Sequence, residues 1–427
     1  MKTTSKKRGF TIVELVIVIA VIAILAAVLI PTFTSVVGKS RESSDESAIR
    51  NMNTILAAEG VATPPDIFSL HDVLGENGIS SKNYSPLYKD RYFFWDADLN
   101  RVLYVDKDYK IIAPADYAGQ QYVAGTSNWY SLSLDIPEEK VAITDNKVTV
   151  TNGAQMNYVL GKLEKGTKTL EITIDGTIDM MGAIFDFPTL AEDAGYNVTI
   201  KGGAIKNATA IDNAQGAISG KSGYDGIYNC ALIPSVKKGN TVTISNVVFE
   251  NINVKNTNVG NVGLLIGDLI GTATIENVTI KNSTVIGHRN TGALVGYMGS
   301  EHNGHGNLTL KGNIKLENVS VETVGGRSAM LVGFKATNPT ITANEATIAF
   351  TGSSYSVYNC EQNTGTYNGT ALGLSNGTLT SYVTRVENNE AVNALEVKTF
   401  IEKALVMTGS ETALTSEFYG ATVTGWN

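Results

Sequence analysis

The chain has 427 residues, more than one compact core ordinarily holds, so two or three structural units are expected. Hydrophobic residues make up 43% and charged residues 17%, which excludes a disordered polar chain; 42 glycines against 9 prolines, with runs of Asn, Thr, Val and Ile, indicate many short strands and tight turns. The net charge of −8 conceals a basic start (Lys2, Lys6, Lys7, Arg8) before an acidic remainder, which argues against nucleic acid as a partner.

The first predicted element is a long helix. No charged residue occurs between Leu15 and Gly38, and Leu15 to Ile30 is wholly apolar; with Phe10 to Val13 and the stretch through Val37 the segment can cover the ~30 Å hydrocarbon core of a bilayer. A secretory signal peptide is the competing reading, with small residues at Ala23, Ala26 and Ala27, but the apolar residues continue past them. The basic cluster Lys6-Lys7-Arg8 is expected to stay cytoplasmic, so everything after Lys39 is delivered outside. Glu14 interrupts the apolar run, where an unpaired carboxylate costs about 3 kcal/mol, so a partner or a functional reason is required. Cleavage after Gly9 would give Phe10 a free α-amino group, largely cationic at neutral pH, and so a cation for Glu14.

The run Lys7-Arg8-Gly9-Phe10-Thr11-Ile12-Val13-Glu14-Leu15 resembles the start of type IV prepilins and of the pseudopilins of type II secretion systems, a resemblance covering roughly the first 60 residues. It implies that a membrane-embedded prepilin peptidase cuts between Gly9 and Phe10 and methylates Phe10. It further implies that Glu14 pairs with the N-terminus of a neighbouring pilin subunit during assembly, and that Pro31 kinks the helix. Beyond the apolar run, Ile49, Met52, Ile55 and Leu56 recur at helical spacing among charged residues, and Gly60 and Pro64-Pro65 close the helix near Glu59.

From residue 60 to 137 the composition predicts a small α/β segment similar to a pilin head. It holds a short helix over Ile67 to Leu74 and a hairpin of Arg91 to Trp95 with Arg101 to Val105. Asp96, Asp98 and Asn100 begin a calcium-loop spacing, but Arg101 and Lys107 stand where glycine and the bidentate glutamate are needed, so a solvated turn is expected rather than a metal site.

Residues 138–427 are expected to form an all-β domain. Thr151 to Lys165 reads as a helix, with Met156, Val159, Leu160 and Leu163 at helical spacing, and the strand Leu170 to Ile174 follows. By eye, the runs from Thr241, Thr272 and Asn313 align at Asn246, Asn277 and Asn318, and Gly263-Leu-Leu-Ile-Gly267, Gly292-Ala-Leu-Val-Gly296 and Ala329-Met-Leu-Val-Gly333 form a second motif. Offsets of 31 residues (Asn246 to Asn277) and 29 (Gly267 to Gly296) indicate stacked coils. The predicted architecture is a right-handed parallel β-helix of roughly eight to ten coils, with asparagines stacking between coils and a helix over Ala391 to Val406 capping the far end. Asn-Gly pairs at Asn152, Asn368 and Asn376 keep a β-sandwich with hairpins as the alternative. The fold class is thus α+β: a leader over 1–9, a pilin helix over 10–59, a small head segment over 60–137 and a β-solenoid over 138–427.

Cys230 and Cys360 share a Tyr-Asn-Cys context and are compatible either with a disulfide across coils or with buried thiols. No catalytic residue, metal site or cofactor is expected. Asp225, Asp268, Glu276, Glu317 and Arg289 are scattered, and most read as solvated coil residues. Glu301, His302 and His305 lie in a glycine-rich loop, and His288-Arg289 reads as a loop tip. The expected function is a minor or tip pilus subunit, not an enzyme. It is anchored in the cell membrane, with a surface glycan or protein as ligand of its adhesive head. A surface-tethered carbohydrate-active enzyme and a secretion pseudopilin are the alternatives.

Overall fold

The structure, a computed structural model, describes residues 12–58, 64, 66–123, 126–185, 187–188, 190–211, 229–256, 260–287, 290–299, 306–323, 327–336 and 338–357, and beyond these 372–375, 378–379, 386–387, 390–391, 405–408, 419 and 421–424. Two compact units result, Met1–Ser133 and Leu134–Asn427.

In the first unit, helix α1 (Ile12–Ala58) runs unbroken for 47 residues with Pro31 inside it, about 70 Å at 1.5 Å per residue. Helix α2 (Ile67–Glu76) starts where Asp66 accepts the amides of Phe68 and Ser69, satisfying two of the unpaired donors of its first turn. Strands β1 (Arg91–Asp96) and β2 (Arg101–Asp106) form the predicted hairpin, in antiparallel register from Arg91↔Asp106 to Asp96↔Arg101. With β3 (Ile111–Ala113) and β4 (Trp129–Ser131) they make a sheet of order β3-β2-β1-β4. Opposed residues share a face, so Phe93 with Tyr104 and Trp95 with Val102 line one side of it. These four, with Ile49, Met52 and Leu56 of α1, are almost completely buried.

The second unit is built from parallel strands stacked in register. Its main sheet passes through Lys147–Val150, Thr169–Ile174, Asn197–Lys201, Thr241–Ser245, Thr272–Glu276, Asn307–Thr323, Thr340–Thr351 and Thr422–Thr424, eight rungs among the described residues. A second parallel sheet joins Ile233–Val236, Ile266–Leu269, Val295–Met298, Val332–Lys335 and Val406–Thr408, and a third joins Asn261–Gly263, Asn290–Gly292 and Arg327–Ser328. Alternation does the sorting: Val198, Ile200, Val242, Ile244, Ala273 and Ile275 are buried while the Thr, Lys and Glu between them are not. Successive strands joined in parallel are what a β-helix-like stack requires, and a sandwich of hairpins would join them antiparallel.

Charge reinforces the register. Asp179, Lys206, Glu250, Lys281 and Glu317 follow one another as direct partners across five rungs with alternating sign. Lys206 bridges Asp179 at 2.9 Å and Lys281 bridges Glu250 at 3.1 Å.

Two readings are corrected. The by-eye alignment of the third repeat is displaced: Thr272 pairs with Asn307 and Thr279 with Lys315, which brings Asn318 over Asn282. Two successive coils each turn two corners in the left-handed conformation, at Asn246 and Asn251 and again at Asn277 and Asn282, a region asparagine tolerates. In the next coil the first corner is Gly312 and only the second keeps its asparagine, so matching Asn277 with Asn318 equated two different corners. The expected stacking itself occurs, Asn251 to Asn207 at 2.6 Å, Asn277 to Asn246 at 3.2 Å and Asn318 to Asn282 at 3.1 Å.

Asn152-Gly153 makes no hairpin. Asn152 instead caps helix α3 (Gly153–Glu164), accepting from the Gln155 amide, because an asparagine side chain serves a helix start as readily as a turn. Ala391 and Val406, the ends of the expected C-terminal capping helix, lie in the short strands Glu390–Ala391 and Val406–Thr408, and residues 392–404 of that expectation lie outside the described ones. Helix α3, beside the rung Lys147–Val150, buries Met156, Val159, Leu160 and Leu163. Asn376-Gly377 lies outside the described residues, but the strands flanking it, Leu372–Ser375 and Thr378–Leu379, do pair antiparallel. Asn368-Gly369 lies outside them too.

Candidate membrane and assembly segment

The side chains of α1 from Ile12 to Ile30 are overwhelmingly apolar and exposed, and the helix is long and apolar enough to cross a membrane. Glu14 stands in its first turn, where the positive end of the helix dipole favours an anion. Around Pro31, which cannot donate to the carbonyl of Ala27, the hydroxyls of Thr32 and Thr34 donate to Val28 O and Ile30 O at 2.9 and 2.5 Å. Both hydroxyls are thereby satisfied within the helix, as hydrocarbon surroundings demand. Gly9 and Phe10 lie outside the described residues.

The second half of α1 is held to the small head by two polar side chains that the sequence reading passed over. Asp45 is 2% exposed and accepts from the amides of Leu87 (2.7 Å) and Tyr88 (2.9 Å) and from the Tyr104 hydroxyl (3.2 Å). Burial, then the Asp45 carboxylate, push the Tyr104 phenol well above its ordinary pKa, so it remains a donor. Asn53 behaves as a one-residue strand: its Nδ2 donates to Val102 O at 2.9 Å and its Oδ1 accepts from Val102 N at 2.7 Å, closing the edge of β2 that the short β3 leaves uncovered. The signal in the sequence was spacing, since Asp45 stands on the same stripe as Ile49, Met52 and Leu56.

The Asp96-x-Asp98-x-Asn100 turn uses its oxygens internally. Asp96 Oδ1 accepts from the amides of Asp98 and Leu99, Asp96 Oδ2 from Trp129 Nε1, and Asn100 Oδ1 from Trp95 Nε1. These bonds tie the hairpin turn to two tryptophans and leave no converging ligand set. Glu301, His302 and His305, together with Asp225, His288 and Arg289, are outside the described residues.

In the larger unit, Glu317 belongs to the alternating charge column and Glu276 faces Lys311 across a rung. Asp268 departs from the expected solvated coil residue: it is 6% exposed, with Lys237 Nζ at 3.8 Å and Asn229 Nδ2 at 3.4 Å from its Oδ2. It falls within Leu264–Leu269, a run buried throughout, where a carboxylate between Gly267 and Leu269 was the available signal. Burial pushes its pKa from the usual 3.8 up to about 6, against the opposing pull of Lys237 and Asn229. A folded pKa above the unfolded one means that stability from this group is full below about pH 4 and is lost as pH rises through 6. Asp268→Asn is therefore expected to stabilise the chain at pH 7.5 by up to about 3 kcal/mol, a gain that vanishes toward pH 4.5. Thermal melts of both chains across that range check it; parallel curves at all pH values would contradict the assignment.

Cys230 is buried, its Sγ 4.0 Å from Lys255 O; Cys360 lies outside the described residues.

Residues 4–30 match the family model described as the prokaryotic N-terminal methylation motif. The chain is also similar to a crystal structure from Bacteroides ovatus described as "a putative immunoglobulin A1 protease", with 17% identity over 67% of this chain and 86% of that one and a TM-score of 0.34, a likeness that carries no argument. The motif and the apolar helix together define a membrane-anchored protein of prepilin type. The chain thus carries a type IV pilin-like N-terminal motif on a long helix, which is followed by a parallel-sheet-rich β region.

Proposed function

We propose that this chain is a minor or tip subunit of a pilus or pseudopilus, cut between Gly9 and Phe10, methylated at Phe10, and bent at Pro31. Glu14 pairs with the N-terminus of a neighbouring subunit, and the large β-rich unit is displayed outside the cell as an adhesive head. The observation that carries the reading is the division of α1: its first half presents only apolar surface around Glu14, while its second half is locked to a small head by Asp45 and Asn53. Such a helix suits lateral packing against like helices once it leaves the bilayer, and a bulky head suits a low-copy position. A structural role in assembly follows, rather than catalysis.

Mass spectrometry of the mature N-terminus from cells tests the processing, with a chain beginning at methylated Phe10 as the expected result. An intact Met1, or a start beyond Ala27, would sink the reading. Glu14→Leu is expected to be processed normally but to fall at least tenfold in sheared filament fractions relative to the membrane fraction.

A further inference from the structure

We infer that Asn229, Ser235, Lys237, Asp268 and Tyr297 form a binding site for a polyhydroxylated ligand, a glycan, on the larger unit. The inference rests on reading that unit as a displayed binding head. In-register parallel pairing makes Ser235, Asp268, Tyr297 and Phe334 one column across four rungs, each rung advancing about 4.8 Å, with the four side chains on the same side of the sheet. Asp268 Oδ1 and Ser235 Oγ in this column, and Asn229 Oδ1 beside Asp268, are buried, and among the described residues none has a hydrogen-bond partner.

Buried polar atoms are paired as a rule, and three orphans, one of them the carboxylate's own oxygen, are a standing cost that a ligand could relieve. The chemistry of the orphans selects that ligand. An ionised carboxylate oxygen and an amide oxygen can only accept, and a serine hydroxyl does either, so the complement is a molecule with several O–H groups. Asn229 Nδ2, 3.4 Å from Asp268 Oδ2, and Lys237 Nζ, 3.8 Å from it, supply donors for the ligand's remaining oxygens. Next in the column, Tyr297 and Phe334 stack with centroids 5.8 Å apart and planes 13° from parallel, and Tyr297 is only half-buried. An aromatic ring beside a few convergent polar groups is a common composition of a small-ligand site. A hard cation would use the same oxygens, but the ammonium 3.8 Å from the carboxylate opposes it.

The test takes the full chain in detergent micelles over an array of neutral, acidic and amino-sugar oligosaccharides, followed by calorimetric titration of the strongest responder. Wild type is expected to bind, and Asp268→Asn and Tyr297→Ala are each expected to weaken binding at least tenfold. The Asp268→Asn chain is expected to melt no lower than wild type, which separates lost recognition from lost folding. An array without a responder would overturn the inference, as would variants that bind like wild type. Thermal stabilisation by calcium chloride without glycan binding would assign the oxygens to a cation and overturn it as well. A methylated Phe10 on a chain blind to glycans sinks this site alone, whereas an unprocessed N-terminus on a chain that binds them sinks the pilin reading alone.

Discussion

Asp45→Ala is expected to detach the second half of α1 from its small head, with a loss of about 3–5 kcal/mol. One carboxylate serves three donors, the Leu87 and Tyr88 amides and the Tyr104 hydroxyl, and it sits almost wholly out of water. Truncation leaves the Tyr104 hydroxyl buried and unpaired, which is costlier than losing its bond, and strips the part-buried Leu87 and Tyr88 amides of their acceptor. Asp45→Asn keeps one accepting oxygen and is expected to lose less, and Tyr104→Phe, which removes one of the three donors, only about 1 kcal/mol. Urea unfolding followed by the fluorescence of Trp95 and Trp129, which lie in the same unit, orders the three variants. Equal midpoints for Asp45→Ala and Tyr104→Phe would show that the two amides are not held through Asp45. Because the same helix half is expected to carry the head in a filament, Asp45→Ala should also shed head fragments on mild proteolysis.

Gly296→Val is expected to destabilise the coil stack by about 3 kcal/mol or more, the upper range for overpacking, since the obstruction is backbone. A Cβ at Gly296 would stand 2.6 Å from Val262 N and 2.7 Å from Gly267 O, atoms of the preceding rung fixed by their own ladder bonds. The reason is close approach, and Gly267 is confined likewise, 2.6 Å from Pro234 O. The first position of the motif is less strict, for the third copy carries Ala329 there, while the fifth is glycine in all three copies, Gly267, Gly296 and Gly333. Thr274→Val, in a half-exposed position of Thr272–Glu276, serves as the control and is expected to change stability by no more than about 0.5 kcal/mol. Circular dichroism of the β signal against urea separates the two, and a Gly296→Val midpoint equal to wild type would show that the rungs are not packed as closely as described.

Much of this protein is legible in sequence because its signals are local. The apolar run from Leu15 to Ile30, the hairpin strands around Asp96 to Asn100, and the helix over Met156 to Leu163 each declare themselves by period within a dozen residues. The β stack shows itself through repetition, since parallel in-register pairing sets like residues over like. What escaped were features decided between distant residues. The corner asparagines look interchangeable in a line of text, and only the ladder separates Asn277, over which Gly312 follows, from Asn282, over which Asn318 follows.

The sequence by itself determined that the chain carries a prepilin-type apolar helix with Glu14 in it, and that a repetitive β region follows, because hydropathy and repeat period are properties of neighbouring residues. Tertiary structure alone decided which carboxylates matter. Asp45 and Asp268 look no different in composition from Glu276 or Glu317, which face water and lysines across rungs. They became special when pairing over more than forty residues in one case, and coil stacking in the other, removed them from water and left each answerable to a few particular donors.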